Sequence, residues 1–255
     1  MTRRLSLYQQ LDPELVLRAY AMGVFPMADH RDAPGVYWVE PKLRGILPLD
    51  GFRLSRSLRK TIVRERFRVT ADQAFNAIMG LCAEPAADRP ETWINTPIAR
   101  VFARLHEMGF AHSIECWEGD RLVGGLYGLA LGRAFFGESM VSRATDASKV
   151  ALAWLVARLR VGGFELLDCQ FQTGHLQSLG AIEIDRDHYM ALLGSALGDS
   201  VGGLALGAAS VDGAFDALDR LGAAPALPAA ASPPSTVVSS AVSGKVIAQL
   251  LGHTS

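Results

Sequence analysis

The chain of 255 residues is 49% hydrophobic and 20% charged, which suffices for a sizeable core and excludes global disorder. Its 25 basic and 26 acidic residues give a net charge of −1, which excludes a uniformly basic nucleic-acid coat. Cys82, Cys116 and Cys169 form no C-x-x-C pair, so we expect neither a disulfide framework nor a metal cluster. Because the polar N-terminus lacks a signal pattern and no apolar run reaches about 18 residues, we expect a cytoplasmic protein without a membrane span.

Charge is distributed unevenly along the chain. Residues 42–68 hold nine Lys or Arg and only two acidic residues, a local balance of +7. Residues 221–244 hold no charge and four prolines, a composition typical of low-complexity segments. We therefore expect the folded part to end near Asp199 and residues 199–255 to form a flexible tail, apart from a short helix that could form near Asp212–Leu221. The alternative is that the tail docks through the apolar cluster Val246–Leu251.

Capping residues, glycines and hydrophobic periodicity predict the secondary structure. The first helix is expected between Asp12-Pro13 and Gly23, because Pro is favoured at the first helical position and Gly just after the last. The other elements, in order, are strands 36–39 and 45–47, helix 55–64, strand 67–70, helices 71–82 and 96–109, strands 112–117, 122–131 and 134–138, helix 146–161, strand 165–170, and helices 175–179 and 187–193. This order indicates an α+β fold with a mixed, mostly antiparallel sheet, the arrangement of GNAT-type acyltransferases.

Eight short motifs occur in a fixed order between Leu11 and Leu193. Together they resemble the leucyl/phenylalanyl-tRNA–protein transferases. Each motif is weak alone, but their order and spacing make the match specific. The motifs are GVFP at 23–26, WI at 93–94, HSIE at 112–115, LVGGLYG at 122–128, FGESM at 136–140, ASK at 147–149, LDCQ at 167–170 and SLGA at 178–181.

The resemblance implies a cytoplasmic enzyme that uses no metal and no bound organic cofactor. Such an enzyme moves leucine or phenylalanine, with methionine as a third candidate, from aminoacyl-tRNA to the α-amino group of a protein. Its partners would be leucyl-tRNA, phenylalanyl-tRNA and acceptor proteins that begin with Arg or Lys, which the reaction marks for N-end-rule degradation. The resemblance also implies a small N-terminal domain (1–41) and a GNAT-like catalytic domain (42–198), which meet near Pro41.

Asp168 and Gln170 are the first candidate catalytic residues. They are two apart on the predicted strand 165–170, so their side chains share one face, and Leu167 and Cys169 share the other. A carboxylate or amide at a strand end can orient an attacking amine and take up its proton. From the residues alone, Asp168 could equally cap or salt-bridge a sheet end. The resemblance implies that Asp168 and Gln170 form the catalytic pair.

Glu138 is the third candidate, at the end of the apolar strand 134–137. An unpaired carboxylate is costly in such a position. The residues leave open an internal ion pair with Arg133 or Arg143. The resemblance implies instead that Glu138 binds the cationic N-terminus of the acceptor peptide.

The preference for Leu and Phe requires an apolar pocket of definite shape, because one methylene is worth only about 1–3 kcal/mol. The resemblance places this pocket at Leu126, Phe135, Met140, Leu155 and Leu167, although ordinary core packing would explain the same residues. It also places Trp93 near the tRNA 3′-adenosine, where an aromatic face can stack on a base.

The predicted basic helix carries Arg56, Lys60 and Arg64 at helical spacing, with Arg59 beside them. This row could be a solvated helix face, but few acids are interleaved with it. A tRNA acceptor stem offers phosphates in a shape that proteins bind without reading base sequence. The sequence therefore predicts a tRNA-binding surface on this helix.

Two other functional classes remain open at this stage. An acetyl-CoA-dependent acetyltransferase would need a glycine-rich turn to hold the pyrophosphate, but residues 139–146 contain no glycine. A non-catalytic RNA-binding module would use the basic helix alone. It would not require Glu138, Asp168 and Gln170 around an apolar pocket.

Overall fold

The structure, a computed structural model, describes residues 11–85, 91–198, 212–221 and 242–252. No helix in these ranges is long and apolar enough to cross a bilayer. The helices are α1 (Pro13–Ala21), α2 (Arg56–Val63), α3 (Phe75–Ala83), α4 (Thr96–Glu107), α5 (Ala147–Val161), α6 (Gly174–Ser178), α7 (Arg186–Leu197), α8 (Ala217–Leu221) and α9 (Gly244–Leu250). The strands are β1 (Phe25–Met27), β2 (Tyr37–Val39), β3 (Leu43–Ile46), β4 (Arg68–Ala71), β5 (Ala111–Glu118), β6 (Arg121–Leu131), β7 (Ala134–Ser142), β8 (Leu166–Gln170) and β9 (Ile182–Asp185).

Seven strands form one mixed sheet in the order β4-β5-β6-β7-β8-β3-β9. All neighbours in it are antiparallel except β7 and β8, which are parallel. The predicted α+β class and mostly antiparallel sheet are confirmed, while the kinship with GNAT enzymes stays a prediction. The strands β1 and β9, of three and four residues, were not predicted.

The small N-terminal part consists of α1 and the two-stranded sheet β1-β2. Asp12 accepts a hydrogen bond from the N–H of Glu14 and Pro13 occupies the first turn, so α1 begins where the sequence predicts. The next strand, β3, crosses into the main sheet and lies between β8 and β9. Thus the chain enters the larger sheet directly beside the strand that carries Asp168 and Gln170.

The parallel pair β7-β8 separates part of the way along the sheet. Its register ends at the pair Phe136–Asp168, and from there β7 continues to Ser142 paired only with β6. The strand β8 continues to Gln170 paired with β3. The divergence of β7 and β8 opens a gap in the sheet, and α5 covers one face of the strands beside it.

The C-terminal region corrects the expectation of a flexible tail. Residues 199–211, 222–241 and 253–255 lie outside the described residues, but α8 and α9 both pack on the long helix α5. Leu218 of α8 and Ile247 of α9 are fully buried in the main core. For these two segments the expectation was wrong, because short apolar runs such as 246–251 suffice to cover a helix whose surface is apolar almost all round.

We expect Leu218→Ala and Ile247→Ala each to lower the free energy of unfolding by about 2–5 kcal/mol, because each leaves a cavity in a packed core. Urea denaturation measures the change. The control is Leu221→Ala, whose side chain in α8 is 60% exposed. Equal stability of all three variants would mean that the C-terminal helices do not dock.

Candidate active site

A cavity of about 750 Å³ lies where β7 and β8 diverge. Four of the five predicted pocket residues line it, namely Leu126, Met140, Leu155 and Leu167. Leu152, Leu176 and Cys169 also line it and were not singled out from the sequence, because nothing distinguishes them there from ordinary core. The cavity is therefore predominantly apolar, as a binding site for an apolar side chain requires.

Phe135, the fifth predicted pocket residue, does not line the cavity. Its side chain is fully buried and its ring stacks on Phe215 with centroids 5.8 Å apart and meets Phe164 edge-on. Because Phe215 belongs to the C-terminal region, its contact with Phe135 could not be predicted from the sequence. For Phe135 the ordinary-core alternative is the correct one.

Trp93 lines the cavity together with Met27 from the N-terminal part. Its side chain is partly buried and packs against the hydrophobic cluster that contains Phe75, Ile78 and Tyr127. The indole is therefore held in place while part of it stays exposed. An aromatic surface at a cavity wall can stack on a planar ring. This position is compatible with the role that the resemblance implies for Trp93.

A polar end of the cavity is formed by Arg143, Lys149 and His175. Burial and the Lys149 ammonium group lower the pKa of His175. The buried Nε2 of His175 has no hydrogen-bond partner among the described residues. Arg143 pairs with Glu84 at 2.6 Å and Lys149 pairs with Asp146 at 3.1 Å, and both acids also line the cavity, so this polar end carries ion pairs beside the apolar pocket.

Asp168 is fully buried and holds Arg44 in a bidentate ion pair. The Nε of Arg44 lies 2.9 Å from Oδ1 of Asp168, and Nη2 lies 2.6 Å from Oδ2. Oδ2 also accepts from the Tyr189 hydroxyl at 2.8 Å, and Oδ1 accepts from the backbone N–H of Gln170 at 2.7 Å. The carboxylate is thereby saturated with donors, as a buried charge requires.

Arg44 is itself enclosed by the N-terminal part and α7. Its guanidinium lies between the rings of Phe25 and Tyr189, 4.7 and 4.5 Å from their centroids, and its Nη1 donates to the carbonyl of Gly23 at 2.9 Å. Gly23 has φ +75°, and a Cβ there would meet the Tyr189 ring at 3.1 Å, so glycine is required. The buried role of Arg44 was not predicted from the sequence, although a lone charge in the strand Leu43–Ile46 was a signal for it.

The structure separates Asp168 from Gln170, which the sequence placed on one face. Gln170 lines the cavity together with Leu167 and Cys169, whereas Asp168 does not. Gln170 adopts a left-handed backbone conformation, φ +61°, which breaks the alternation of the strand. Such backbone strain in a non-glycine residue persists only where its surroundings impose it. Here the N–H of Gln170 is held by a hydrogen bond to the Asp168 carboxylate.

Glu138 projects into the site from β7, and within the described residues only one of its two carboxylate oxygens accepts hydrogen bonds. Its Oε1 accepts from the Tyr20 hydroxyl at 2.6 Å and from Nε2 of Gln170 at 2.7 Å. Its buried Oε2 has no hydrogen-bond partner among the described residues, and Glu138 lines the cavity. Burial raises the pKa of Glu138 to about 7, against the opposing effect of the two hydrogen bonds.

The internal ion pair left open for Glu138 does not form. Arg133 pairs with Glu165 at 2.8 Å, and Arg143 pairs with Glu84 at 2.6 Å. Tyr20, which does bind Glu138, was missed because a tyrosine on the buried face of α1 has no distinguishing pattern. Glu138 is thus a buried carboxylate on a cavity wall with an open acceptor.

The four predicted tRNA-binding cations all lie on the exposed side of α2 and its C-terminal cap, while Leu58 and Ile62 face the core. None of the four forms an ion pair within the described part of the chain. None lines the cavity either, so α2 is a separate surface. These cations are Arg56, Arg59, Lys60 and Arg64.

We expect Asp168→Asn to lower the free energy of unfolding by about 3–5 kcal/mol, because it leaves the Arg44 guanidinium buried without a counter-charge. Urea denaturation at neutral pH measures this loss. The matched control is Glu107→Gln, which breaks an ion pair with Arg104 whose two side chains are each 63% exposed. That change should cost under about 1 kcal/mol. A similarly small effect of Asp168→Asn would contradict the ion pair's structural role.

We expect Glu138→Gln to stabilise the fold at neutral pH and not at acidic pH. The pKa rises from 4.5 to about 7 on folding, so between these values the unfolded state releases a proton that the folded state keeps, and stability falls as pH rises. The variant should match the parent below pH 4.5 and exceed it by about 3 kcal/mol above pH 7. Parallel stability curves over this range would contradict a raised pKa.

Within the described ranges, no group of three or more His, Cys, Asp or Glu side chains is placed to hold a metal ion.

Comparison with known proteins identifies the family. The family model "Leucyl/phenylalanyl-tRNA protein transferase" matches residues 46–194, and the model of its N-terminal domain matches residues 9–42.

Curated relatives bear the same name. The protein of Rhizorhabdus wittichii is 61% identical over 250 residues, which cover 96% of this chain and 99% of that protein. The protein of Novosphingobium aromaticivorans is 53% identical and covers 96% of this chain and 97% of its own length. That of Zymomonas mobilis is 64% identical over 73% of this chain and 70% of its own length. The acetyl-CoA and non-catalytic alternatives are therefore rejected, and the chain belongs to the leucyl/phenylalanyl-tRNA–protein transferase family of enzymes.

Proposed function

We propose that this chain transfers leucine or phenylalanine from aminoacyl-tRNA to the α-amino group of proteins that begin with Arg or Lys. The observation that carries the proposal is the buried Oε2 of Glu138 at the wall of an apolar cavity, which has no hydrogen-bond partner in the part of the chain that the structure describes. An anionic acceptor of this kind suits a cationic amine, and the apolar cavity beside it suits the aminoacyl side chain.

In the proposed reaction the ammonium group of the acceptor donates to Oε2 of Glu138. A pKa of about 7 at Glu138 is close to that of an α-amino group, so the carboxylate can take the first proton. The neutral amine then attacks the ester carbonyl. A C–N bond forms, the C–O bond to the tRNA ribose breaks, and the second amine proton ends on the departing ribose oxygen.

Gln170 and Asp168 support Glu138 in different ways. The Gln170 amide donates to Oε1 of Glu138, which leaves Oε2 directed to the substrate. Asp168 does not line the cavity, and we assign it a positioning role through the Gln170 N–H and Arg44. In this mechanism Glu138 rather than Asp168 is the proton acceptor.

The apolar residues Leu126, Met140, Leu155 and Leu167 would hold the leucine or phenylalanine side chain, with methionine as the third candidate. Trp93 would stack on the 3′-adenosine. The apolar lining disfavours a polar or charged side chain, which would lose its hydrogen bonds to water there. The shape of the cavity then sorts the apolar side chains.

The exposed cations of α2 would bind the acceptor stem of the tRNA through its phosphates. The ester bond of aminoacyl-tRNA already activates the carbonyl, so the proposed reaction includes no metal or organic cofactor. Because aminoacyl-tRNA is the donor, we propose the cytoplasm as the site of action. The proposed product is marked for N-end-rule degradation.

Incubation of the protein with radiolabelled leucyl-tRNA and a peptide that begins with Arg tests the proposal directly. We expect label to enter the peptide, and Glu138→Gln to reduce kcat by about 10²–10⁴-fold, because the variant keeps the shape of the site but lacks the proton acceptor. Activity of the parent should rise with pH through about 7, and this rise should be absent from the variant.

A peptide that begins with Glu serves as the substrate control, and leucyl-adenosine without the rest of the tRNA serves as a minimal donor. Label that appears equally in the Glu-initial peptide would contradict the proposed acceptor preference. Full turnover by Glu138→Gln would exclude Glu138 as the base.

A further inference from the structure

The basic helix α2 lies beside a segment from outside the matched family region. That region ends at residue 194, whereas α9 begins at Gly244 and packs on both α2 and α5. Ile247 and Leu251 are buried in the same core as Ile62 of α2. A C-terminal helix is thus a fixed neighbour of the proposed tRNA-binding surface.

The start of α9 is fitted closely to the end of α2. The Gly244 N–H donates to Oε1 of Glu65 at 3.0 Å. A Cβ at Gly244 would lie 2.1 Å from the carbonyl oxygen of Ile62, so only glycine allows this approach. The next residue, Lys245, is exposed and adds a cation at the end of α2 where Arg64 lies.

The end of α9 forms one wall of a cleft of about 420 Å³. Leu251 and Gly252 line that wall, and the opposite side is formed by the loop 50–54 and by Arg59 of α2. Arg53 and Arg59 are exposed, and neither forms an ion pair within the residues described. Asp50, the acid of the cleft, lies 3.9 Å from Arg160.

Arg160 of α5 ties the two walls of this cleft together. Its Nε donates to the carbonyl of Leu49 at 2.9 Å, and its Nη1 donates to the carbonyl of Leu250 at 2.7 Å. One partly buried guanidinium therefore fixes the distance between the loop that carries Arg53 and the end of α9. The cleft is a structured feature and not a gap between mobile segments.

We propose that α9 completes the tRNA-binding surface: the cleft receives a backbone phosphate of the donor tRNA between Arg53 and Arg59, and Lys245 contacts a second phosphate. Guanidinium groups bind phosphate oxygens in forked hydrogen-bond pairs, and the cleft offers two that have no acidic partner among the residues described. The proposal rests on the proposed function, since it requires α2 to face the tRNA. It extends that surface to a segment outside the matched domain.

Binding of fluorescently labelled tRNA to the full-length protein at several salt concentrations tests the proposal. Arg53→Gln and Lys245→Gln should each raise Kd several-fold, and each should reduce the slope of log K against log salt by about 0.7–0.9, the value for one phosphate contact. Arg100→Gln is the matched control, because it removes one exposed cation from α4. The buried face of α4 packs in a different hydrophobic cluster from that of α2 and α9. That variant should bind like the parent.

Arg160→Gln tests the part played by α9 itself, and Arg158→Gln is its control. Arg158 lies two residues away on α5 and holds the other C-terminal helix, with Nη1 2.9 Å from the carbonyl of Phe215 and Nη2 2.6 Å from Asp219. Both changes remove one guanidinium that anchors the C-terminal region. Only Arg160→Gln should raise Kd for tRNA, by about 10-fold if two phosphate contacts are weakened.

The outcomes separate this proposal from the proposed function. If Arg59→Gln/Lys60→Gln weakens tRNA binding but Arg53→Gln and Lys245→Gln match Arg100→Gln, the inference about α9 is wrong and the tRNA surface on α2 stands. If the double variant also binds like the parent, both are wrong. Circular dichroism checks folding, and should Arg160→Gln fail to fold, the two exposed-residue variants still decide the matter.

Discussion

The buried ion pair between Arg44 and Asp168 is the interaction on which the site depends. It joins β3 to β8 and, through Gly23 and Tyr189, fastens the N-terminal part and α7 to the same point. Two charges without solvent are stable only when every donor and acceptor is satisfied, and this network approaches that condition. The geometry of Gln170 follows from it, because the Asp168 carboxylate holds the Gln170 N–H.

The two buried carboxylates linked to Gln170, those of Asp168 and Glu138, have different surroundings. Asp168 faces a guanidinium and a full set of donors, so it serves as a fixed structural anion. Glu138 receives only neutral donors on one oxygen, so burial dominates and raises its pKa to about 7. Environments that differ in this way let one site hold both an anchor and a base at neutral pH. The uncompensated Glu138 costs stability, which is the expected property of a group kept for chemistry.

The sequence predicted most of the elements and much of the site, for identifiable reasons. Capping residues and glycines located α1, α4 and α5, and ordered motifs located Glu138, Gln170 and Trp93. It could not predict that Gln170 would break the strand alternation, because a positive φ in a non-glycine residue arises from tertiary contacts. The buried ion pair of Arg44 was not predicted, because its partner is 124 residues away along the chain. The docking of α8 and α9 was not the main expectation, because helices of five and seven residues are too short to show a clear apolar periodicity.

In the proposed mechanism the cavity and the basic surface make separable contributions to catalysis. Contacts between exposed cations and tRNA phosphates are distant from the reacting atoms, so they are equally strong in the ground state and the transition state. Such contacts govern capture of the donor and its salt dependence, and they leave the chemical step unchanged. The proposed proton transfer to Glu138, by contrast, affects the rate only in the step in which the amine becomes a nucleophile. A C-terminal helix added beside α2 can therefore alter how tightly tRNA is held without disturbing the ion-paired framework around Glu138, because α9 packs on α2 and α5 and contributes no residue to the cavity wall.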